Sequence, residues 1–361
     1  MKLGKEGYRV AVVGASSLIG KELVSALEEA KFPVSRLIPI EVEGDEPELP
    51  IIDLTEGPVF PIEPAEVNAA DLDLAFLASR SRQLPAFLES REVQGEGAKC
   101  LVIDLVGEGL DAEPAPGLTG ATAATRPSLV HIPFLDRRFP VAGLEASPLS
   151  IHVSAHPAVI IISSLLLRLA ARFPLQSAVA QVYVSASESG ARGIEELQRQ
   201  TISLLSFQKF PHKVFGGQLA FNILSRLGRD GTGEMPGLEA RLCRQLHDYL
   251  GERVPRPALR LFLAPIFYSV GVSLYVEPTA PVGPEAAAAA LAGERIKVRR
   301  SSHEPPTPVE VTGSSDILVD SITTDAEHSN GIWIWAVADN LHLGATNAIE
   351  IAASLREPAR A

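Results

Sequence analysis

Cysteine is nearly absent from this sequence of 361 residues, which contains only Cys100 and Cys243. Two distant cysteines exclude a disulfide framework and a cysteine metal cage, so we predict no metal site and interpret both residues as inert core positions. Long apolar runs are also lacking. The most apolar segment, residues 157–171, is interrupted by Arg168 and is too short to cross a bilayer.

Basic residues are too few to balance the acidic ones, with 32 Lys and Arg against 44 Asp and Glu and a formal charge of −12. Such a surface repels phosphate groups, which excludes nucleic acid and an anionic membrane as the main partner. The N-terminus has no apolar stretch of signal-peptide length before the first strand. We therefore predict a cytoplasmic protein.

The apolar content and the order of the predicted strands and helices indicate an α/β protein. Apolar residues make up 46% and charged residues 21%, enough for a sizeable core, and the length favours two domains. A buried strand at residues 8–14 leads through a glycine turn into a helix at 21–30, the beginning of a βαβ unit. Further buried strands are predicted at residues 37–42, 72–78 and 99–105. The first domain, residues 1–150, is predicted to be a Rossmann-type, doubly wound parallel sheet.

The second half of the chain differs in composition and in the hydrophobic pattern of its strands. After a loop rich in Ala, Pro and Gly at residues 113–127, strands such as 181–187 and 269–277 become amphipathic, which suits a mixed or antiparallel sheet with one covered face. Residues 151–337 are predicted to form a second, α+β domain, and a C-terminal helical segment, residues 338–361, to complete the first.

The glycine turn is the first candidate site. Residues 14–20, GASSLIG, lie between a strand and a helix, where backbone N–H groups and the helix dipole can receive a pyrophosphate. The alternative is a tight turn that binds nothing. The candidate cofactor-binding residues are Gly14, Ser16, Ser17, Leu18 and Ile19.

Several segments resemble the aspartate-semialdehyde dehydrogenase family. GASSLIG is similar to that family's GATGAVG. The other similar segments, in chain order, are FPV at 32–34, QLAFN at 218–222, PIFY at 265–268 with VE at 276–277, GS at 313–314, and WAVADNL at 335–341 with GA at 344–345. The resemblance covers nearly the whole chain.

The resemblance implies a two-domain homodimer that associates through its second domain, and it adds Asn340 to the cofactor-binding residues. The family's reaction proceeds through a thioester: a cysteine thiolate attacks the aldehyde carbonyl, hydride passes to the nicotinamide, and phosphate releases the acyl group.

The nucleophile of that reaction is missing here. It should follow Asn-Pro-Asn at the start of an apolar helix, where this chain has HPAV at residues 156–159. If the family motif is aligned on Pro157, Val159 stands at the position of the nucleophile. If it is aligned on the later leucines, Ala158 stands there. Neither side chain can attack a carbonyl, and no cysteine lies between residues 101 and 242.

The resemblance implies that other polar groups are replaced as well. Val270 stands at the acid–base histidine, with Ser269 at the glycine before it. Val184 stands at a glutamine, Leu263 at the arginine that would clamp the substrate carboxylate, and Leu110 near a phosphate-side arginine. These changes predict a site in which apolar packing has replaced the polar machinery.

Substitute nucleophiles or bases near residue 159 are Ser154, Ser163, Ser164, His152 and His156. The two serines inside the helix are interpreted as bonding backbone carbonyls one turn back, and His156 as a loop or packing residue.

Dinucleotide selectivity depends on residues 40–45, IEVEGD, whose acidic character would repel the 2′-phosphate of NADP. NADP binding is therefore predicted to be absent. NAD stays open, because an acidic residue there can bond ribose hydroxyls. Ser79-Arg80 replaces the family's paired glycines, and Leu343 replaces a lysine.

Three hypotheses follow. The first is a catalytically inactive family member, kept as a dimeric scaffold or as the partner of another protein. The second is an active NAD(P)-dependent semialdehyde oxidoreductase with altered chemistry, using Ser163 or His156. The third is a binding protein for a small apolar metabolite.

Overall fold

The computed structural model describes ten segments of the chain: residues 7–40, 51–53, 57–59, 67, 71–79, 100–107, 128–140, 150–233, 235–299 and 304–356. The chain divides into two compact units. The first comprises Met1–Ala155 and Gly344–Ala361, and the second comprises His156–Leu343. Four predicted features, namely the acidic stretch at 41–45, Arg80, Leu110 and the loop at 113–127, lie outside the described residues.

The first unit contains a parallel sheet of six strands in the order β2-β1-β5-β6-β8-β7. Its strands are β1 (Tyr8–Val13), β2 (Val34–Ile40), β5 (Leu74–Leu77), β6 (Leu101–Asp104), β7 (Ser128–His131) and β8 (Ile151–Ser154). A separate ribbon pairs β3 (Ile51–Asp53) with β4 (Gly57–Val59). Its helices are α1 (Leu18–Glu29) and α2 (Pro133–Asp136).

The core of the first unit forms because its strands are apolar on both faces. Val10 and Val12 of β1 and Leu23 and Leu27 of α1 are almost fully buried. The last helix of the chain, α7 (Asn340–Arg356), contributes its residues from Ala345 onward to the same cluster. Each such aliphatic side chain stabilises the fold by about 1.5–3 kcal/mol relative to an exposed position.

The second unit contains a mixed sheet of six strands in the order β10-β9-β11-β14-β13-β12. The strands are β9 (Leu175–Val184), β10 (Ala258–Leu263), β11 (Val270–Pro278), β12 (Ile296–Val298), β13 (Ile317–Thr324) and β14 (Ile332–Ala338). The helices are α3 (Pro157–Ala170), α4 (Gly190–Leu205), α5 (Met235–Leu250) and α6 (Pro284–Leu291). The two sheets confirm the predicted fold class.

The two faces of the second sheet have different surroundings. One face is apolar and buried, and α3, which is buried along its length, packs against β9, β11 and β14. The other face carries half-buried aromatic side chains at Tyr183, Phe262 and Trp335. The Tyr183 ring lies 5.5 Å from that of Phe262 and 6.1 Å from that of Trp335.

Two local predictions were wrong. The strand predicted at 181–187 ends at Val184, because residues Ala186–Ser189 turn into a 3-10 helix. Cys243, interpreted as a core residue, is exposed. Leu242 and Leu246 face the core from α5, and the residue after Leu242 is rotated about 100° away from that face. Cys100 is buried as predicted. No helix among the described residues combines the length and apolarity that a membrane span requires.

A fully buried glutamine in α4 fixes the loop at residues 211–220. The Gln200 Oε1 atom accepts N–H bonds from Leu219 and Ala220 at 2.7 and 3.0 Å. Its Nε2 atom donates to the carbonyls of Pro211 and Gly217, each at 2.9 Å. The side chain thus satisfies four backbone groups that no strand or helix partner serves.

Replacing Gln200 with Ala is expected to lower the free energy of unfolding by about 3 kcal/mol, because buried backbone groups lose their partners. Urea denaturation of the purified protein measures this. The matched control is Arg199→Ala, which removes only a surface ion pair with Glu195 and is expected to change stability by less than about 0.5 kcal/mol. Equal effects of the two changes would contradict the anchoring role.

Candidate functional site

The glycine turn of the first unit has the predicted strand–turn–helix context. Gly14 has a φ of 77°, and a Cβ there would lie 2.1 Å from the Cβ of Ser79. A Cβ on Gly20 would lie 2.2 Å from the carbonyl oxygen of Gly14. Both glycines are therefore required by the packing of the chain itself.

The start of α1 has the geometry of an anion site. Ser17 caps the helix: its Oγ accepts the N–H of Gly20 at 3.0 Å and donates to the carbonyl of Ala78 at 2.8 Å. The N–H groups of Leu18 and Ile19 lie in the first turn, where helical N–H groups have no partner within the helix. This arrangement fits a dinucleotide diphosphate.

The start of α3, where the resemblance expects a nucleophile, consists of hydrocarbon. Ala158 and Val159 have no exposed surface. The helix begins at Pro157, whose missing N–H costs nothing at this position. No side chain at either candidate position can form a covalent bond with a carbonyl carbon.

Three further positions, at which the resemblance implies polar residues, form one row across the sheet. Val184 of β9 pairs in register with Leu263 of β10 on one side and with Val270 of β11 on the other. Ala338 of β14 extends the row beyond Val270. All four are at most 3% exposed. The structure thus brings together three positions that the sequence analysis had connected only through the resemblance.

Ser269, immediately before Val270, has a φ of 80°. This left-handed conformation favours glycine and costs a side chain about 1 kcal/mol. Two contacts hold it: the backbone N–H donates to Asn340 Oδ1 at 2.8 Å, and the Oγ donates to the carbonyl of Pro308 at 2.9 Å. The backbone here has a conformation that favours glycine, the residue that the resemblance implies for this position.

A polar network beside the start of α3 was not predicted from the sequence. His156 Nδ1 accepts the N–H of Ala158 at 3.1 Å and so caps the helix. Its Nε2 lies 3.3 Å from Glu188 Oε1, and Asn340 Nδ2 donates to the same oxygen at 3.1 Å. Because Nδ1 acts as an acceptor, Nε2 is the ring nitrogen that donates to Glu188. No local sequence pattern links these residues, because His156 and Glu188 are 32 positions apart and Glu188 and Asn340 are 152 apart.

The network continues into neighbouring elements of the second unit. Asn340 Nδ2 also donates to Ser187 Oγ at 2.9 Å, and Ser187 Oγ lies 2.8 Å from Ser185 Oγ. The backbone N–H of His156 donates to Gln245 Oε1 on α5 at 2.8 Å. Both ring nitrogens of His156 and both atoms of the Asn340 amide group therefore have partners within the unit.

The charge of Glu188 is held in place by its surroundings. Burial by itself raises the pKa of this carboxyl. The attraction of His156, hydrogen bonds from His156 and Asn340, and the charge of Arg241 outweigh burial, so the pKa of Glu188 lies below its usual range. The carboxylate is ionised at neutral pH.

Acidification is expected to destabilise the protein partly through Glu188. A pKa that is lower in the folded than in the unfolded state adds stability above the unfolded value, and that stability is lost as the pH falls through the folded value. As the pH falls below the ordinary pKa of glutamate, the free energy of unfolding should therefore decrease more steeply for the wild type than for Glu188→Gln. Denaturant titrations across that range measure the slopes, and parallel slopes would contradict the assignment.

The candidate substitute nucleophiles are not arranged for attack. Ser164 Oγ donates to the carbonyl of Ile160 at 2.5 Å, as predicted. Ser163 Oγ is fully buried and makes no hydrogen bond within the described residues, contrary to the prediction of a backbone bond. Partial desolvation of the sulfur atom in the exposed residue Cys243, together with the charge of Glu239, raises the pKa of its thiol, which disfavours the thiolate.

Other predicted candidates lie in the first unit. His152 Nδ1 is 2.9 Å from His131 Nε2 in a buried imidazole pair. Ser154 Oγ accepts from Asn347 Nδ2 at 2.9 Å and lies 3.3 Å from the carbonyl of Gly344. These contacts are explained by packing among β7, β8 and α7. Within the described part of the chain, no group of three or more His, Cys, Asp or Glu residues could hold a metal ion.

Comparison with known proteins gives three kinds of similarity. Residues 166–343 match the family model described as semialdehyde dehydrogenase, dimerisation domain. The chain is 27% identical over 340 residues to a USG-1 protein homolog of Pseudomonas aeruginosa, covering 93% of this chain and 94% of that protein. It is 26% identical over 364 residues to aspartate-semialdehyde dehydrogenase of Aquifex aeolicus, covering 96% and 97%.

Solved structures are similar over the same length. A probable aspartate-semialdehyde dehydrogenase from Pseudomonas aeruginosa aligns with a TM-score of 0.80 at 25% identity, covering 97% of this chain and 98% of that one. Aspartate semialdehyde dehydrogenase II from Vibrio cholerae aligns with a TM-score of 0.76 at 21% identity and with the same coverage.

Proposed function

We propose that this chain, whose membership of the aspartate-semialdehyde dehydrogenase family these comparisons support, is a cytoplasmic homodimer that does not catalyse the family's phosphorylating aldehyde oxidation. It would serve as a scaffold or as the partner of another protein. The similarity to proteins named as dehydrogenases indicates the fold and the reaction to be tested. Whether this chain can catalyse that reaction depends on its own residues at the site.

The observation that carries the proposal is the buried hydrocarbon at the positions that the reaction needs. Ala158 and Val159 cannot form a thioester. The row Leu263–Val184–Val270 offers no group to move a proton or to bind a carboxylate, and all three side chains are buried. Loss of a catalytic nucleophile alone costs about a factor of a million in turnover.

A dinucleotide would be held at the first unit through Gly14, Ser16, Ser17, Leu18 and Ile19. If bound, it would supply a hydride acceptor. The turn and helix start fit its diphosphate, and the described residues at the start of α3 and in the row Leu263–Val184–Val270 add no nucleophile that would use it. The predictions that NADP is disfavoured and that NAD stays open depend largely on residues outside the described part of the chain.

The alternative, an active oxidoreductase with altered chemistry, finds little support in the site. Ser163 is enclosed, and both ring nitrogens of His156 are engaged by Ala158 and Glu188. The sharpest assay combines a broad aldehyde panel with NAD and NADP. Turnover abolished by Ser163→Ala or His156→Ala would establish the alternative.

We assign the homodimer interface to the aromatic face of the second sheet, defined by Val179, Tyr183, Phe262, Tyr275 and Trp335. Val179 is 38% exposed on this face, and Tyr275 is its neighbour in register on β11. Half-buried aromatic residues beside exposed apolar ones are typical of protein interfaces.

Replacing Val179 with Asp is expected to shift the protein from dimer to monomer, because a carboxylate would be desolvated at the interface. Size-exclusion chromatography with light scattering gives the mass. Two controls should remain dimeric: Val179→Thr, which keeps the branched shape, and Leu355→Asp, which places the charge at a 37% exposed position of the first unit. A dimeric Val179→Asp protein would contradict this interface.

A further inference from the structure

We propose that His156 is a pH-dependent cap of α3: the neutral ring closes the start of the helix, and protonation of the ring in mild acid opens the first turn. The inference goes beyond the proposed function, because it concerns a conformational change that does not depend on any catalytic activity. It rests on the different contacts that the two ring nitrogens make.

The contact of Nδ1 exists only while that atom carries no proton. Nδ1 lies 3.1 Å from the backbone nitrogen of Ala158 and accepts its N–H. A doubly protonated imidazole has an N–H group on each nitrogen and no acceptor, so two donors would then face each other at the start of α3. Protonation of Nδ1 and the hydrogen bond from Ala158 therefore exclude each other.

The contact of Nε2 is compatible with both states of the ring. Nε2 lies 3.3 and 3.4 Å from the two carboxylate oxygens of Glu188, and it can donate to them whether the ring carries one proton or two. A second proton on the ring turns this hydrogen bond into an ion pair, which compensates the added positive charge. Glu188 therefore holds the ring beside the helix while the cap is lost.

The N–H of Ala158 depends on this cap. It belongs to the first turn of α3, where N–H groups have no partner within the helix, and the residue has no exposed surface. A buried donor that loses its partner is costly, and the positive end of the helix dipole also disfavours an added positive charge. Protonation of the ring is therefore expected to be coupled to opening of the first turn, which lets water reach the free N–H.

The charged groups that act on this network keep their charge between about pH 5 and pH 8, where histidine side chains ordinarily titrate. Glu188, on the 3-10 helix, stays ionised, because its pKa lies below its usual range. Arg241, on α5, whose charge acts on Glu188, is always protonated. Gln245 and Asn340 contribute neutral amides. Within the described residues, the ring of His156 is thus the group of this network whose charge can change in that range.

The experiment measures hydrogen–deuterium exchange of the Ala158 amide in the full-length protein at about pH 8 and about pH 5.5, with the intrinsic exchange rate divided out. In the wild type, protection of this amide is expected to fall at least about fivefold at the lower pH. In His156→Asn, whose amide oxygen caps the helix without titrating, protection should be equal at both pH values. His247→Asn removes an exposed histidine from the same unit and should keep the wild-type response.

Two results would overturn the inference: equal protection of the Ala158 amide at both pH values in the wild type, or the same loss of protection in His156→Asn as in the wild type. If His156→Asn does not fold, His156→Ser provides the same comparison, because a serine oxygen also caps helix starts without titrating. Aldehyde oxidation by the wild type would contradict the proposed function and leave this measurement unaffected, so the two failures are distinguishable.

Discussion

Purified wild-type protein is expected to show no turnover of L-aspartate semialdehyde with phosphate and either NAD or NADP, even at high enzyme concentration. The reason is the start of α3, where Ala158 and Val159 are completely buried. Without a thiolate the reaction loses about six orders of magnitude, which places any residual rate below detection. Nicotinamide absorbance, compared with an active family enzyme assayed in parallel, measures the rate.

Restoring the thiol provides the informative control. Val159→Cys is also expected to be inactive, because Val184, Leu263 and Val270 would still offer no group to bind the substrate or to transfer a proton. A wild-type rate within a few orders of magnitude of the active enzyme would contradict the account. Activity in Val159→Cys alone would show that the polar partners are supplied from elsewhere in the chain.

Placing a polar side chain in the buried row is expected to destabilise the protein strongly. In Val184→Gln, an amide would be enclosed between Leu263 and Val270. Its unsatisfied donors and acceptor cost about 1–3 kcal/mol, and the added volume costs about 1–3 kcal/mol more in a packed core. We expect a loss of about 3 kcal/mol in the free energy of unfolding, measured by urea denaturation.

The matched control changes an exposed residue of the same strand. Gln176 lies near the start of β9 and is exposed, so Gln176→Val should change stability by less than about 0.5 kcal/mol. A stable Val184→Gln protein would mean that the row contains polar partners or space for water, and that it is not continuous hydrocarbon packing.

Much of the fold could be predicted from the sequence because local pattern and tertiary environment agree there. The apolar strand at β1, the turn at Gly14 and the helix after Ser17 each favour the same βαβ unit. Strand ends were less certain, since the continuation of β9 into a 3-10 helix depends on hydrogen bonds of Ala186 and Ser187 to residues far along the chain.

Only one part of the candidate site, the start of α3, could be predicted from the sequence. The buried hydrocarbon at the start of α3 could be predicted because it depends only on the residue types at one helix start, Ala158 and Val159. The polar network could not, because His156, Glu188 and Asn340 are separated by 32 and 152 positions and meet only in the folded unit. The prediction for Cys243 was wrong for a simpler reason: the residue directly follows the buried Leu242, and one step along a helix rotates a side chain about 100° away from the buried face.

The central claim is that no side chain of this protein forms an acyl intermediate. Its most direct test is the intact mass of the protein after incubation with L-aspartate semialdehyde and dinucleotide in the absence of phosphate. The account predicts an unchanged mass and an unreduced nicotinamide. A mass increase equal to one aspartyl group, accompanied by one equivalent of reduced nicotinamide, would contradict it.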